Sequence, residues 1–305
     1  MRSPASWAAA SRACADVAAG AAPTLTGILF ALLSAAGYGV SDFVGGIASR
    51  RVAALRVVIV SYPVAMVLLI ILAAGFGGTV TTPAVVWGAL CGISQAFGVW
   101  WFYAALGSGP ISVVSPLTAI LVAGVPVGVG LALVERPSGI AYAGIGVALI
   151  AVALVSREAE GAEDRPHRFT RKVAWLTVGA GLAFGLNFVL IDQAPVEAKL
   201  WPLVFARVAA SLLVIGIALA SANLVAPRGV PLKLALAAGV LDTIANVAML
   251  LALQASLLSL TGVLISLYPA ATVALAMFVL KERVTRWQAG GMVLALAAVA
   301  MIAVG

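Results

Sequence analysis

At 305 residues, 63% hydrophobic and only 10% charged, with a mean hydropathy of +1.15, the chain cannot cover a water-facing surface with polar groups; soluble domains carry about 25% charged residues. Its formal net charge of +7 would suggest nucleic acid in a soluble protein. Here the basic residues stand at the ends of apolar runs, as orientation in a bilayer requires, so the expected partner is lipid and not nucleic acid.

Residues 1–23 are Ala-rich, and Arg2 and Arg12 flank no apolar core of a signal peptide. They read as an N-terminal tail, either disordered or an over-long start assignment. From Leu25 onward ten apolar runs follow: 25–48, 53–74, 83–106, 111–134, 137–156, 173–192, 199–221, 232–254, 260–280 and 284–304. A spanning helix needs about 20 apolar residues, so each run is long enough to cross a bilayer once. Short Gly, Pro or charged connectors separate them, such as Ser49-Arg50-Arg51, Gly75-Phe76-Gly77-Gly78 and Glu135-Arg136-Pro137. Asp192 and Lys199 fall at run ends and read as loop residues. The one long charged connector, 157–172, divides the chain near its middle. The runs are continuously apolar and lack the alternation of a membrane β-strand, which leaves helices. The 31 glycines let such helices approach closely in lipid.

The two halves repeat. Glu282-Arg283 lies 147 residues after Glu135-Arg136, and at the same offset Gly92 falls on Gly239, Gly144 on Gly291 and Ser112 on Ser259. An earlier stretch fits an offset of 145, which places Asp42 on Asn187 and Tyr62 on Arg207. Self-similarity over half a chain is the signature of a repeat-built transporter. Five spans per unit is an odd number, so the second copy enters from the opposite side. The expected fold is therefore an all-α membrane protein of ten transmembrane helices in two inverted five-helix repeats, 24–156 and 173–305, joined by the linker 157–172, with a site between them near the midplane.

Charge counting gives an orientation. One side collects Arg50, Arg51, Arg56, Arg157, Arg165, Arg168, Arg171, Lys172, Arg228, Lys233, Lys281, Arg283 and Arg286; the other holds Arg2, Arg12, Arg136 and Lys199. The positive-inside rule then leaves both termini outside the cytoplasm.

These features together resemble one family over the whole stretch from Leu25 to Gly305: the EamA-type members of the drug/metabolite transporter superfamily. The resemblance rests on ten spans in two halves and on the Glu-Arg step before the last span of each half, followed by a glycine (Gly144, Gly291). It rests further on Tyr38-Gly39-Val40-Ser41-Asp42-Phe43, which returns shortened as Phe184-Gly185-Leu186-Asn187-Phe188, and on Arg207 in the second span of its half. The family implies a secondary transporter, usually an exporter of small metabolites or amino-acid-like compounds. The chain departs from the family at Tyr62, which stands where the second half has Arg207. The family is also commonly described with cytoplasmic termini, against the charge count.

Ionisable residues inside apolar spans are costly and mark function or paired structure. Asp42, Arg207 and Asp242 are the three here. Ser34, Tyr38 and Asp42 share a helical face by their spacing of four; Asp42 either binds a substrate amine or a coupling proton, or pairs with Arg50 or Arg51 near the interface. Asp242 and Asn246 also lie one turn apart, and Gln95 occupies the position matching Asp242 in the first half, which suggests either a shared cavity wall or hydrogen bonds between helices. Arg207 needs a partner, and Asp242 is the natural one; the arginine can receive a substrate carboxylate through both edges or form a purely structural pair. Trp100, Trp101, Phe102 and Tyr103 read as an interfacial aromatic belt. Thr261, Ile265, Tyr268 and Thr272 form a stripe beside Pro269, which either breaks the helix and frees carbonyls or merely kinks it. The candidate cavity is thus Tyr38, Asp42, Tyr62, Gln95, Asn187, Arg207, Asp242, Asn246 and Tyr268.

No cofactor or metal is expected. Cys14 and Cys91 sit in unrelated settings, the lone histidine, His167, lies in the linker, and the sequence holds no HExxH, GxSxG or Walker A motif. An intramembrane enzyme is therefore the weaker alternative. A channel is the other, although no filter loop or ring of charge is visible. The reading is a proton-linked or exchange-type carrier of a small solute by alternating access, in the plasma or inner membrane, as a monomer or homodimer.

Overall fold

The computed structural model describes residues 24–49, 51–106, 111–133, 135–155, 170–222, 224–279 and 285–304. The tail 1–23, most of the linker, Arg50 and the Glu282-Arg283 step lie outside the described residues.

The described residues are helical, with no strand among them. The first half contributes α1 (Leu25–Ser49), α2 (Ala54–Phe76), α3 (Thr82–Leu106), α4 (Ile111–Ala132) and α5 (Gly139–Val155). The second contributes α6 (Arg171–Asp192), α7 (Trp201–Ala220), α8 (Val230–Ala255), α9 (Leu258–Ile265), α10 (Tyr268–Val279) and α11 (Arg286–Val304). Six of these, α1 to α3 and α6 to α8, are long and apolar enough to cross a membrane. They are the first three helices of each half. Hydroxyl caps start several elements. Thr24 accepts from the Gly27 amide at 3.1 Å, Ser138 from Ala141 at 3.1 Å and Thr170 from Val173 at 3.3 Å, each satisfying an amide the first turn leaves unbonded.

Two elements differ from the sequence expectation. The ninth apolar run, expected as one span over 260–280, is two helices separated at Ser266-Leu267. Pro269 lacks the amide hydrogen that would bond the Ile265 carbonyl, so the helix restarts instead of continuing. Ser266 covers part of the break, donating its hydroxyl to the Val263 carbonyl at 2.7 Å. Asp192, expected in a loop, is the last residue of α6. Lys199 does lie in the connecting turn, held at φ 48°.

Packing runs between the halves. The first helix of each half packs on the third of the other, α1 on α8 and α6 on α3. The second likewise packs on the third of the other half, α2 on α8 and α7 on α3, while α2 meets α7 and α5 meets α11. Neither half has a core of its own. The largest core cluster combines Ile28, Leu69 and Ile145 from the first half with Leu203, Leu260 and Ile302 from the second. Alanine is the commonest buried residue in these contacts, because helices in lipid associate through close van der Waals approach rather than by expelling water.

Candidate functional site

Two helix crossings between the halves build the site. Gly92 of α3 lies on the backbone of Ala206 in α7, and Gly239 of α8 lies on the backbone of Ser61 in α2. A Cβ on Gly239 would stand 2.6 Å from the Ser61 carbonyl oxygen, and one on Gly92 would meet the Ala206 carbonyl still more closely. Gly92 and Gly239 are the pair matched at offset 147, and Ser61 and Ala206 match at 145. The same crossing is therefore made twice. The residues that follow Ser61 and Ala206 are Tyr62 and Arg207, so the crossings carry these two matched positions to each other. The Arg207 guanidinium carbon lies 4.7 Å from the centroid of the Tyr62 ring, a cation–π distance.

Arg207 is 1% exposed and pairs with Asp242 of α8 across 2.5 Å. The pair is neutral overall. Nη2 of Arg207 is taken up by Oδ2 of Asp242, while Nη1 and the Ser211 hydroxyl one turn further along α7 are buried without a hydrogen-bond partner among the described residues. A buried donor left unmade costs about 1–3 kcal/mol, and the Nη1 side of the planar guanidinium is the part open to a further acceptor. The Asn246 amide donates at 2.7 Å to the Asp242 main-chain carbonyl.

Around this pair stand the residues of α1. Tyr38 donates its hydroxyl to the Met249 sulfur at 3.5 Å and lies within electrostatic reach of Asp242, Arg207, Asp42 and Cys91. Asp42 is within reach of Asp242 and is exposed; among the described residues it forms no ion pair with Arg51. Ser34 and Ser41 fix α1 to α8, donating to the carbonyls of Ala245 at 2.9 Å and Ala238 at 3.0 Å. The matching contact on the other side is made by Asn187, whose amide reaches the Cys91 carbonyl at 3.1 Å and the Cys91 sulfur at 2.9 Å. Ala238 and Cys91 are again 147 residues apart, so both halves offer the same carbonyl to a polar side chain of the partner's first helix.

The structure thus brings together Tyr38, Asp42, Tyr62, Arg207, Asp242 and Asn246. Asn187 is spent on a helix contact with Cys91. Gln95 is partly buried on α3, and Tyr268 opens α10 just past the helix break. The aromatic run on α3 is divided: Trp100 is 49% exposed, whereas Trp101 packs against Gly179 of α6 and lies tilted against Phe97 with ring centroids 5.3 Å apart. Two residues were missed from sequence. Ser211 was legible as the residue four after Arg207. Cys91 carried no signal, since its role depends on which helix faces it.

A sequence model of the EamA-like transporter family matches residues 25–157 and 171–304. Among solved structures, one crystal structure of a protein is similar with a TM-score of 0.74 and 17% identity, covering 90% of this chain and 97% of that one; at this identity the likeness is one of fold. No curated protein sequence matches the chain.

Proposed function

The chain belongs to the EamA-like transporter family, a multi-pass membrane family of transporters rather than enzymes, and on that footing we propose that it is a secondary carrier working by alternating access. The solute is a small metabolite or amino-acid-like compound bearing a carboxylate, moved outward across the plasma or inner membrane. The observation that carries this reading is the buried Arg207–Asp242 pair, whose Arg207 Nη1 has no hydrogen-bond partner among the described residues, set where helices of both halves cross.

The reciprocal packing of α1 on α8 and α6 on α3 supports an inverted arrangement of ten spans, with α9 and α10 together making the ninth. Arg207 enters from the start of α7 and Tyr62 from the α2 start, at opposite faces of the bundle in such an arrangement, and they meet between. That is where an alternating-access carrier holds its solute. The basic loops 50–56, 157–172, 228–233 and 281–286 support an orientation with their end of the bundle in the cytoplasm and the termini outside.

Asp42 and Asp242 are the acids available for proton coupling. In proteoliposomes tested with a panel of radiolabelled amino acids, Asp42→Asn, which leaves the Arg207–Asp242 pair intact, should uncouple uptake from an imposed pH gradient. Coupling at the wild-type level in that variant would remove Asp42 as the proton acceptor.

A further inference from the structure

The Glu-Arg step that marks the end of the first half's fourth span has a partner in the other half. After α4 the chain turns back, with the Glu135 amide on the Gly130 carbonyl at 3.0 Å. This carries the Glu135 side chain over Gly130, where a Cβ would collide with the carboxylate. The carboxylate then accepts two amides from the start of α9: Leu258 at 2.7 Å on Oε1 and Ser259 at 3.0 Å on Oε2. Glu135 is only 7% exposed, and Arg136 turns its guanidinium to the Glu135 main-chain carbonyl at 3.2 Å instead. A first-half carboxylate is therefore held by the N-terminus of a second-half helix, where the unbonded amides and the helix dipole both favour a negative charge.

The other contacts at this end also join the halves. Thr24 donates to the Ala255 carbonyl at 2.6 Å. The Thr79 amide donates to the Glu197 carbonyl at 3.1 Å, and Lys199 donates to the Phe76 carbonyl at 2.7 Å. Beneath them the main core cluster runs through both halves, including Ile28 and Ala73 from the first and Leu200, Leu257 and Leu258 from the second.

We propose that the end bearing Thr24, Thr79 and Glu135 is a closed gate of the carrier and that Glu135 is its latch. The inference rests on the alternating-access reading: opening this end requires the two halves to part here, and the two amide bonds to Glu135 must break when they do. Two devices keep the latch from being permanent. Its acceptor is a single side chain rather than a packed helix, and the amides it releases can be taken by water once the end opens.

The test uses Leu257, buried at 9% in the gate, as a reporter that needs no solute. With Cys14 and Cys91 replaced, Leu257→Cys should resist alkylation by a maleimide in the purified protein. Adding Glu135→Ala should raise its labelling rate at least about tenfold, the weight of one charge-assisted hydrogen bond, and Glu135→Gln, which keeps one acceptor oxygen, should fall between. Labelling at the parent rate in both variants would overturn the latch. Should Glu135→Ala fail to fold, Glu135→Gln and a second measurement carry the test: joining Thr79→Cys to Glu197→Cys with a short cross-linker should stop transport in the joined fraction. Undiminished transport by that fraction would overturn the gate. A labelling change in a protein that shows no carrier kinetics would instead retain the latch and remove the carrier reading.

Discussion

At Arg207 the burial of a charge and the possibility of binding coincide. An unpaired guanidinium in this position would be untenable, and removing either partner of a buried pair costs about 3–5 kcal/mol, so Arg207→Ala should leave little folded protein. Arg207→Lys is the informative change. It keeps a cation for Asp242 but loses the planar fork and the stack on Tyr62, so the protein should fold while its affinity for a carboxylate solute falls about tenfold or more. Ser211 separates binding from structure further. Its hydroxyl is buried and unmet, so Ser211→Ala should leave the thermal midpoint unchanged or slightly raised. Isothermal titration with the transported solute should nevertheless show weaker binding. A loss of stability with unchanged binding would make Ser211 a structural residue. Much of this was legible in the sequence because charges are rare in apolar runs: Asp42, Arg207 and Asp242 stood out, and the Arg207–Asp242 pairing followed from cost alone. The stack on Tyr62 was not legible, since spacing along one helix says nothing about the ring opposite it.

Among the elements, the crossings at Gly92 and Gly239 set the geometry. Each puts a bare backbone against a carbonyl of the opposite half, so Gly92→Ala and Gly239→Ala should each lower stability by about 1–3 kcal/mol and depress transport. Gly216 provides the control on the same bundle. A Cβ there meets nothing within 4 Å, and Gly216→Ala should be neutral or stabilising through helix propensity alone. Thermal unfolding of the three variants in detergent checks the contrast; equal midpoints would mean the crossings have room to give. The repeat offset had already singled out Gly92 and Gly239, because a position that admits no side chain leaves its mark on the sequence twice. The helix break at Ser266-Leu267 was half legible. Pro269 announced the missing amide, but whether a helix kinks or restarts depends on how the turn bonds its own carbonyls, and the Ser266 hydroxyl takes the Val263 carbonyl only in the folded turn. Glu135 was noticed as a repeat marker; its service to α9 was not, because the two lie 123 residues apart.

Across the whole molecule, the halves have almost no meaning apart. Their helices pack on each other in reciprocal pairs, the candidate site lies at that interface, and one end is fastened by hydrogen bonds from half to half. Under the proposed alternating-access reading, such a molecule moves by exchanging which end is fastened, and a bound solute is carried with that exchange. The direct measurement is counterflow in proteoliposomes preloaded with unlabelled solute, chosen from the amino acids that wild-type protein takes up. The account predicts saturable uptake of label with a transient overshoot that is driven by the preloaded solute and lost in Arg207→Lys. Uptake that rises linearly with concentration and shows no overshoot would contradict it.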